Sequence, residues 1–329
     1  MTNYYNFHIS VISPVYKAEA VLEELVSRIS SSVESITDNY EIILVDDRSP
    51  DRSWEKMVAI ANANPRVRAI RLSRNFGQHY AITTGIDIAR GEWIVVMDCD
   101  LQDKPEEITS LYKKACEGFD VVLARRFERK DRLVKRMFSK IFYRTLGYLT
   151  GTHQDESVAN FGIYNSKVIS SVKSLRESIR YFPTMVQWVG FETTSINVEH
   201  AERSQGKSNY NFDKLLRLAL DIMLAFSDKP IRMVIKFGLF IALLSFVFVG
   251  FTLYKWLNND IEVLGYASLI ISIWFLTGCT LVTIGVVGLY VGKTFEGVKN
   301  RPLYIIDKDV SCSLEQIQKY DKEISNCEV

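Results

Sequence analysis

Two aspartates and a glutamine set two residues apart, Asp98, Asp100 and Gln102, are the side chains best placed to do chemistry in this sequence. They follow a short apolar run, residues 93–97 (WIVVM), which predicts a buried strand. Alternate residues of extended backbone point to one side. Two carboxylates and an amide oxygen could therefore converge just past the strand's carboxyl end, where open α/β sheets bind ligands. Such hard oxygen donors suit Mg2+ or Mn2+ shared with substrate phosphates. The same stretch also reads as an acidic turn before a helix, because Asp103, Lys104 and Pro105 resemble a helix start. Taken alone, these residues leave both readings open.

The elements that must position them are legible over residues 8–126. Strand patterns occur at 8–16 (HISVISPVY), 40–47 (YEIILVDD), 67–73 (VRAIRLS) and 120–126 (DVVLARR), besides the 93–97 run. Between them, helical spacing covers 19–33, 49–63, the latter part of 74–91, and 105–117. This alternation predicts an α/β domain with a mostly parallel sheet flanked by helices. Polar groups then gather at successive strand ends: Tyr16 and Glu19, Asp46 and Asp47, Ser73 and Arg74, Asp98 and Asp100. There is no GxGxxG after the first strand and no GxxxxGK[ST], which argues against a dinucleotide fold and a P-loop.

Composition narrows the class further. The 329 residues are 47% hydrophobic and carry a net charge of +1, so there is no general bias towards nucleic acid. Five cysteines show no CxxC spacing and four histidines are scattered, which speaks against a disulfide frame or a zinc site. The opening residues, MTNYYNFHIS, lack the basic and apolar regions of a signal peptide.

Two long apolar runs near the C-terminus, about 233–257 and 263–291, are each long enough to span a bilayer. Lys229, Arg232 and Lys236 flank the first; Lys293, Lys299 and Arg301 follow the second. The connection between the runs carries Asp260 and Glu262 and no basic residue. The positive-inside rule then predicts a two-helix transmembrane hairpin with both termini cytoplasmic. Gly288 and Gly292 form a GxxxG, a pattern that allows helix pairing and homo-oligomers. The expected layout is a catalytic domain over 1–230, a membrane hairpin over 231–292, and a loose cytoplasmic tail over 293–329. Residues 125–151 carry apolar residues at helical spacing among many Arg and Lys, the pattern of a basic amphipathic helix at a membrane surface.

The segments ISVISPVYKAE, EIILVDDRSPDRS, LSRNFGQHYAITTGIDIARG and VMDCDLQDKPEE occur in this order. Together they resemble inverting glycosyltransferases of family 2 with the GT-A fold, and within these the polyprenyl-phosphate group. The resemblance implies that Pro14, Tyr16, Glu19 and Asp46 hold the base and ribose of a nucleotide-sugar donor, with Asp47 and Ser73 beside them. It implies that Asp98, Asp100 and Gln102 hold Mg2+ or Mn2+ on the diphosphate, with Asp98 also on the donor and Asp100 central to catalysis. It assigns the acceptor, a polyprenyl phosphate, to arginines matching Arg126 and Arg136. Arg203, Gly206, Ser208 and Tyr210 match the family's RxxGxSxY segment before the membrane, which adds Arg203 and Ser208 to the lipid-phosphate side. Where the family often carries GDFR, this chain has Ala159, Asn160, Phe161 and Gly162. Asn160 thus replaces an acid, and Asp155 is the nearest substitute; both are candidate catalytic residues.

The implied reaction is inverting transfer of a hexose, from a UDP-sugar by resemblance, to a polyprenyl phosphate at the cytoplasmic membrane. Two alternatives share the early motifs. A processive polysaccharide synthase normally carries QxxRW, of which only Gln187 and Trp188 have any echo. A catalytically inactive sugar-nucleotide-binding protein would tolerate a degraded acidic motif, yet Asp98, Asp100 and Gln102 are intact.

Overall fold

The run over residues 40–46 is buried at every position, so it needs cover on both faces. The computed structural model, which describes residues 7–126, 158–177, 180–198, 229–258, 265–299 and 301–311, supplies that cover. The chain divides into two units. One comprises Met1–Arg144, Thr152–Asn209 and Pro302–Val329; the other comprises Thr145–Gly151 and Tyr210–Arg301.

The first unit is built on an eight-stranded sheet. Its strands are β1 (Phe7–Val15), β2 (Tyr40–Asp46), β3 (Val67–Leu72), β4 (Gly91–Val96), β5 (Val121–Arg126), β6 (Val158–Asn165), β7 (Thr193–Val198) and β8 (Ile306–Val310). They lie in the order β7-β5-β6-β4-β1-β2-β3-β8. The central run β4-β1-β2-β3 is parallel, as the alternating pattern predicts. One position departs from the simplest extension of that pattern. β5 does not lie beside β4; β6 sits between them, antiparallel to both.

Helices α1 (Leu22–Glu34), α2 (Ser53–Ala63), α3 (Gln78–Ile88) and α4 (Glu107–Ala115) follow the first four strands. Helices α5 (Ser166–Ser174) and α6 (Phe182–Val189) follow β6. In α1 the buried residues Leu22, Leu25, Val26, Ile29 and Val33 form one stripe. Each such burial contributes roughly 1.5–3 kcal/mol. The stripe packs into a core shared with Ile9, Val11, Ile42, Leu44 and Val95 of the sheet. On the opposite face α3 presses directly on β1: a Cβ added at Gly85 would lie 2.3 Å from Ile12 Cγ2. At the amino edge of the sheet, buried Glu41 accepts from Ser10 Oγ at 2.7 Å, from the Arg90 amide at 2.8 Å and from its guanidinium at 2.9 Å. A buried charge is tolerated there because it is fully paired.

The second unit contains α7 (Lys229–Leu257) and α8 (Tyr266–Val298). Both follow the expected apolar runs, and both leave large apolar side chains exposed, among them Phe237, Leu243, Leu281 and Ile284. Among the described residues, one stretch, Phe275–Phe295 in α8, is both long and apolar enough to cross a membrane.

The tail corrects the sequence expectation. Residues 302–310 are not a loose appendage and belong with the first unit, because β8 pairs antiparallel with β3 from Ala69–Val310 to Leu72–Ile306. Its sequence, IDKDV, carries three charges and gave no strand signal. β3 supplies the missing partner and the sheet edge makes those charges affordable, since edge strands carry charge readily.

Candidate active site

Four parallel strands deliver their carboxyl ends to one edge, and each is followed by one residue in a left-handed conformation. These are Lys17 (φ 56) after β1, Arg48 (φ 58) after β2, Gly77 (φ 107) after β3 and Leu101 (φ 58) after β4. Lys17, Arg48 and Leu101 are the non-glycine residues with positive φ among the described residues. Each costs about 1–3 kcal/mol, and such strain clusters where loops are held for function. The Lys17 and Ala18 amides donate to Ser49 Oγ (3.1 Å) and Ser53 Oγ (3.0 Å), which stitches the loop after β1 to the loop after β2.

Asp46 ends β2, Asp47 follows it, and both are buried. Asp46 Oδ1 accepts from the Ser49 amide at 2.8 Å, and Arg71 Nε stands 3.2 Å from Oδ2. Asp47 receives the Phe76 amide on Oδ1 at 2.7 Å and the Gly77 amide on Oδ2 at 2.8 Å. Burial pushes both carboxyls above the usual carboxylate range; these hydrogen bonds pull the other way. Asp47 therefore latches the loop after β3 to the end of β2.

Pro14 lies in β1 opposite Val45. The β4 ladder beside β1 ends at Ile12–Val96, so the missing N–H of Pro14 breaks no pairing on that side. Tyr16, Glu19 and Ser73 are exposed at this edge. Glu19 accepts from the Arg52 amide at 3.3 Å.

Asp98, Asp100 and Gln102 follow β4 and are half-buried. The Gln102 amide donates to Asp100 Oδ1 at 3.2 Å, which closes the acidic turn. Gln78, the first residue of α3, donates its side-chain amide to Asp98 Oδ1 at 2.6 Å. Sequence reasoning missed this residue. The signal was its place directly after Gly77, at a helix start that must face the same edge. Among the described residues no three His, Cys, Asp or Glu side chains group as a metal site. The available donor set is two carboxylates and an amide, which fits a cation that also takes phosphate oxygens and water. Burial, with the neighbouring Asp98 and Asp100 carboxylates, pushes the Cys99 thiol up to about 12.

Asn160 lies in β6. Gly162 is opposite Val96, so the antiparallel register carries Asn160 to the level of Asp98. Arg126 ends β5, which runs in the same direction as β4 and reaches the same edge. Asp155, Arg136, Arg203 and Ser208, with residues 127–151 of the basic amphipathic segment, lie outside the described residues.

A model described as glycosyl transferase family 2 matches residues 10–172, from β1 into α5. An uncharacterized glycosyltransferase of Synechocystis is 36% identical over 299 residues, covering 91% of this chain and 94% of its own. A prophage-derived bactoprenol glucosyl transferase of Shigella flexneri is 35% identical over 301 residues, covering 91% and 97%. An undecaprenyl-phosphate 4-deoxy-4-formamido-L-arabinose transferase of Shewanella sediminis is 33% identical over 310 residues, covering 91% of each chain. With that family model and near full-length relatives at 33–36% identity, this chain belongs to glycosyl transferase family 2.

Proposed function

We propose that the protein transfers a hexose, from a UDP-sugar, to a polyprenyl phosphate with inversion at the sugar, and that it works at the cytoplasmic face of a membrane. The observation that carries this is the span of the likeness. Matches covering 91% of this chain reach beyond the sheet into the apolar helices, and the matched relatives include a bactoprenol and an undecaprenyl-phosphate transferase.

The residues divide the work by position. Pro14, Tyr16, Glu19, Asp46, Asp47 and Ser73 line or brace the donor side. Asp98, Asp100 and Gln102 would hold Mg2+ or Mn2+. Bound there, the cation would neutralise charge on the departing nucleoside diphosphate. Gln78 orients Asp98 through the 2.6 Å hydrogen bond.

A hydroxyl acceptor would need a base to take its proton. A phosphate monoester has a second pKa near about 6 and is largely a dianion near pH 7. The acceptor side therefore needs positive charge and positioning more than a base, which suits Arg126 with Arg136, Arg203 and Ser208 in support. It also accounts for an amide, Asn160, at the place where the family resemblance implies an acid.

The topology supports a membrane hairpin. β3 precedes α7 and β8 follows α8, yet the two are hydrogen-bonded in one sheet. That pairing favours an even number of crossings between them, for which α7 and α8 are the candidates. In this reading both termini lie with the sheet on the cytoplasmic side.

The test is to incubate membranes containing the protein with labelled sugar nucleotides, with and without added polyprenyl phosphate. A labelled, acid-labile lipid product from one donor is the expected result. Growth of a polymer would favour a processive synthase instead. Donor binding with no lipid product would favour a binding protein.

A further inference from the structure

After α8 ends at Val298, the chain returns to the first unit within a few residues, and β8 begins at Ile306. An edge strand needs only its ladder to cap β3. This one has more. Tyr304 donates its hydroxyl to Asp87 Oδ2 at 2.9 Å. The Ser73 amide donates to the Ile305 carbonyl at 2.9 Å. Arg48 donates to Asp307 Oδ2 at 2.7 Å. Arg68 grips both oxygens of Asp309 at 3.1 and 2.6 Å.

Three of these ties land on elements that carry the candidate site. Arg48 is the left-handed residue directly after Asp46 and Asp47. Ser73 opens the loop whose Phe76 and Gly77 amides hold Asp47. Asp87 lies at the far end of α3, the helix that begins with Gln78 and its hydrogen bond to Asp98. The loop after β2, the loop after β3 and the helix behind the acidic turn are thus each tied to one segment of nine residues or so, more than two hundred positions downstream in sequence.

We propose that residues 302–310 form a strap that positions the donor-side loops, with Asp307 as a positioning residue acting through Arg48. That these loops hold the donor rests on the function proposed above; that the strap orders them does not. Magnitude sets what to expect. Arg48 and Asp307 are both partly exposed, and exposed ion pairs are worth at most about 1 kcal/mol, or about fivefold. Losing one tie should therefore loosen the loop after β2 without unfolding the sheet.

The experiment uses full-length protein in detergent or membranes. Asp307→Asn should raise the donor KM by about two- to fivefold, with kcat within about twofold and acceptor KM unchanged. Amide hydrogen exchange over residues 47–49 should speed up by a similar factor, a readout that needs no substrate. Arg48→Asp should do the same, since Asp tolerates the left-handed region. The charge swap, Arg48→Asp with Asp307→Arg, should recover most of both effects. Unchanged exchange and donor KM in Asp307→Asn, or a swap no better than the single variants, would overturn the strap. A wild-type protein that turns over no nucleotide sugar would instead sink the functional reading, and the exchange data would still decide the strap. As a second arm, a stop codon after Ser311 keeps the strap and should preserve donor affinity. A stop after Arg301 removes it and should weaken that affinity at least tenfold; equal affinity in the two truncations would also overturn the proposal.

Discussion

Gln78 donates its side-chain amide to Asp98 across 2.6 Å, joining the first turn of α3 to the acidic turn after β4. Outer partners of this kind fix the orientation of a ligand carboxylate, and their loss typically costs 10- to 100-fold in metal affinity or activity. Gln78→Ala should therefore raise the Mg2+ or Mn2+ concentration needed for half-maximal turnover by about tenfold or more. Asp100→Asn should lower turnover by orders of magnitude while the melting temperature stays within a few degrees. Metal titrations of turnover, with calorimetric melting as the fold control, check both. An Asp100→Asn protein with near-normal turnover, or full activity in chelator, would remove the metal from the mechanism.

A dianionic acceptor phosphate that needs charge and positioning rather than a base implies an ordering of variants. Arg126→Ala should cripple transfer to lipid, and Arg126→Lys should recover it only in part, because a planar guanidinium can take two phosphate oxygens where an ammonium acts as a point charge. Asn160→Ala should be the milder change. Initial rates with saturating donor and varied polyprenyl phosphate make the comparison. Loss of turnover in Asn160→Ala or Asp155→Ala alongside an unaffected Arg126→Ala would reverse the assignment.

Topology can be read directly in intact cells. A cysteine at position 259, in the short connection, should react with a membrane-impermeant reagent added outside. One at Lys308, an exposed position of β8, should react only after permeabilisation. The opposite pattern would place the sheet outside and would also remove its access to cytoplasmic donors.

A pH effect should come from His79. Its Nδ1 is buried without a hydrogen-bond partner, and burial lowers its pKa from 6.5 to about 4. The folded state thus resists the proton that the unfolded chain accepts. The stability held by neutral His79 is present above pH 6.5 and is lost as pH falls from 6.5 through about 4. Melting temperatures across that window should fall less steeply for His79→Gln than for the wild type. Parallel curves would show that His79 does not contribute to the acid limb.

The sequence by itself determined the central parallel sheet and the polar residues that its strand ends carry. Apolar runs such as residues 42–45 and 93–97 bear their own signal, because a strand buried on both faces reads as a near-continuous hydrophobic run. The spacing of Asp98, Asp100 and Gln102 was equally local. Only the tertiary structure decided that β6 lies between β4 and β5, because antiparallel insertion depends on pairing across a long intervening segment. Only it brought Gln78 to Asp98, a contact between two different strand-end loops. The left-handed backbone at Lys17, Arg48 and Leu101 was also hidden, since none is glycine and the strain is held by neighbours distant in sequence. The tail shows the limit most clearly. IDKDV has too few apolar residues to announce a strand, and it becomes one because β3 offers an open edge and Arg48 and Arg68 meet its two aspartates. Local pattern reports what a segment must bury; which partners it finds is a property of the folded chain.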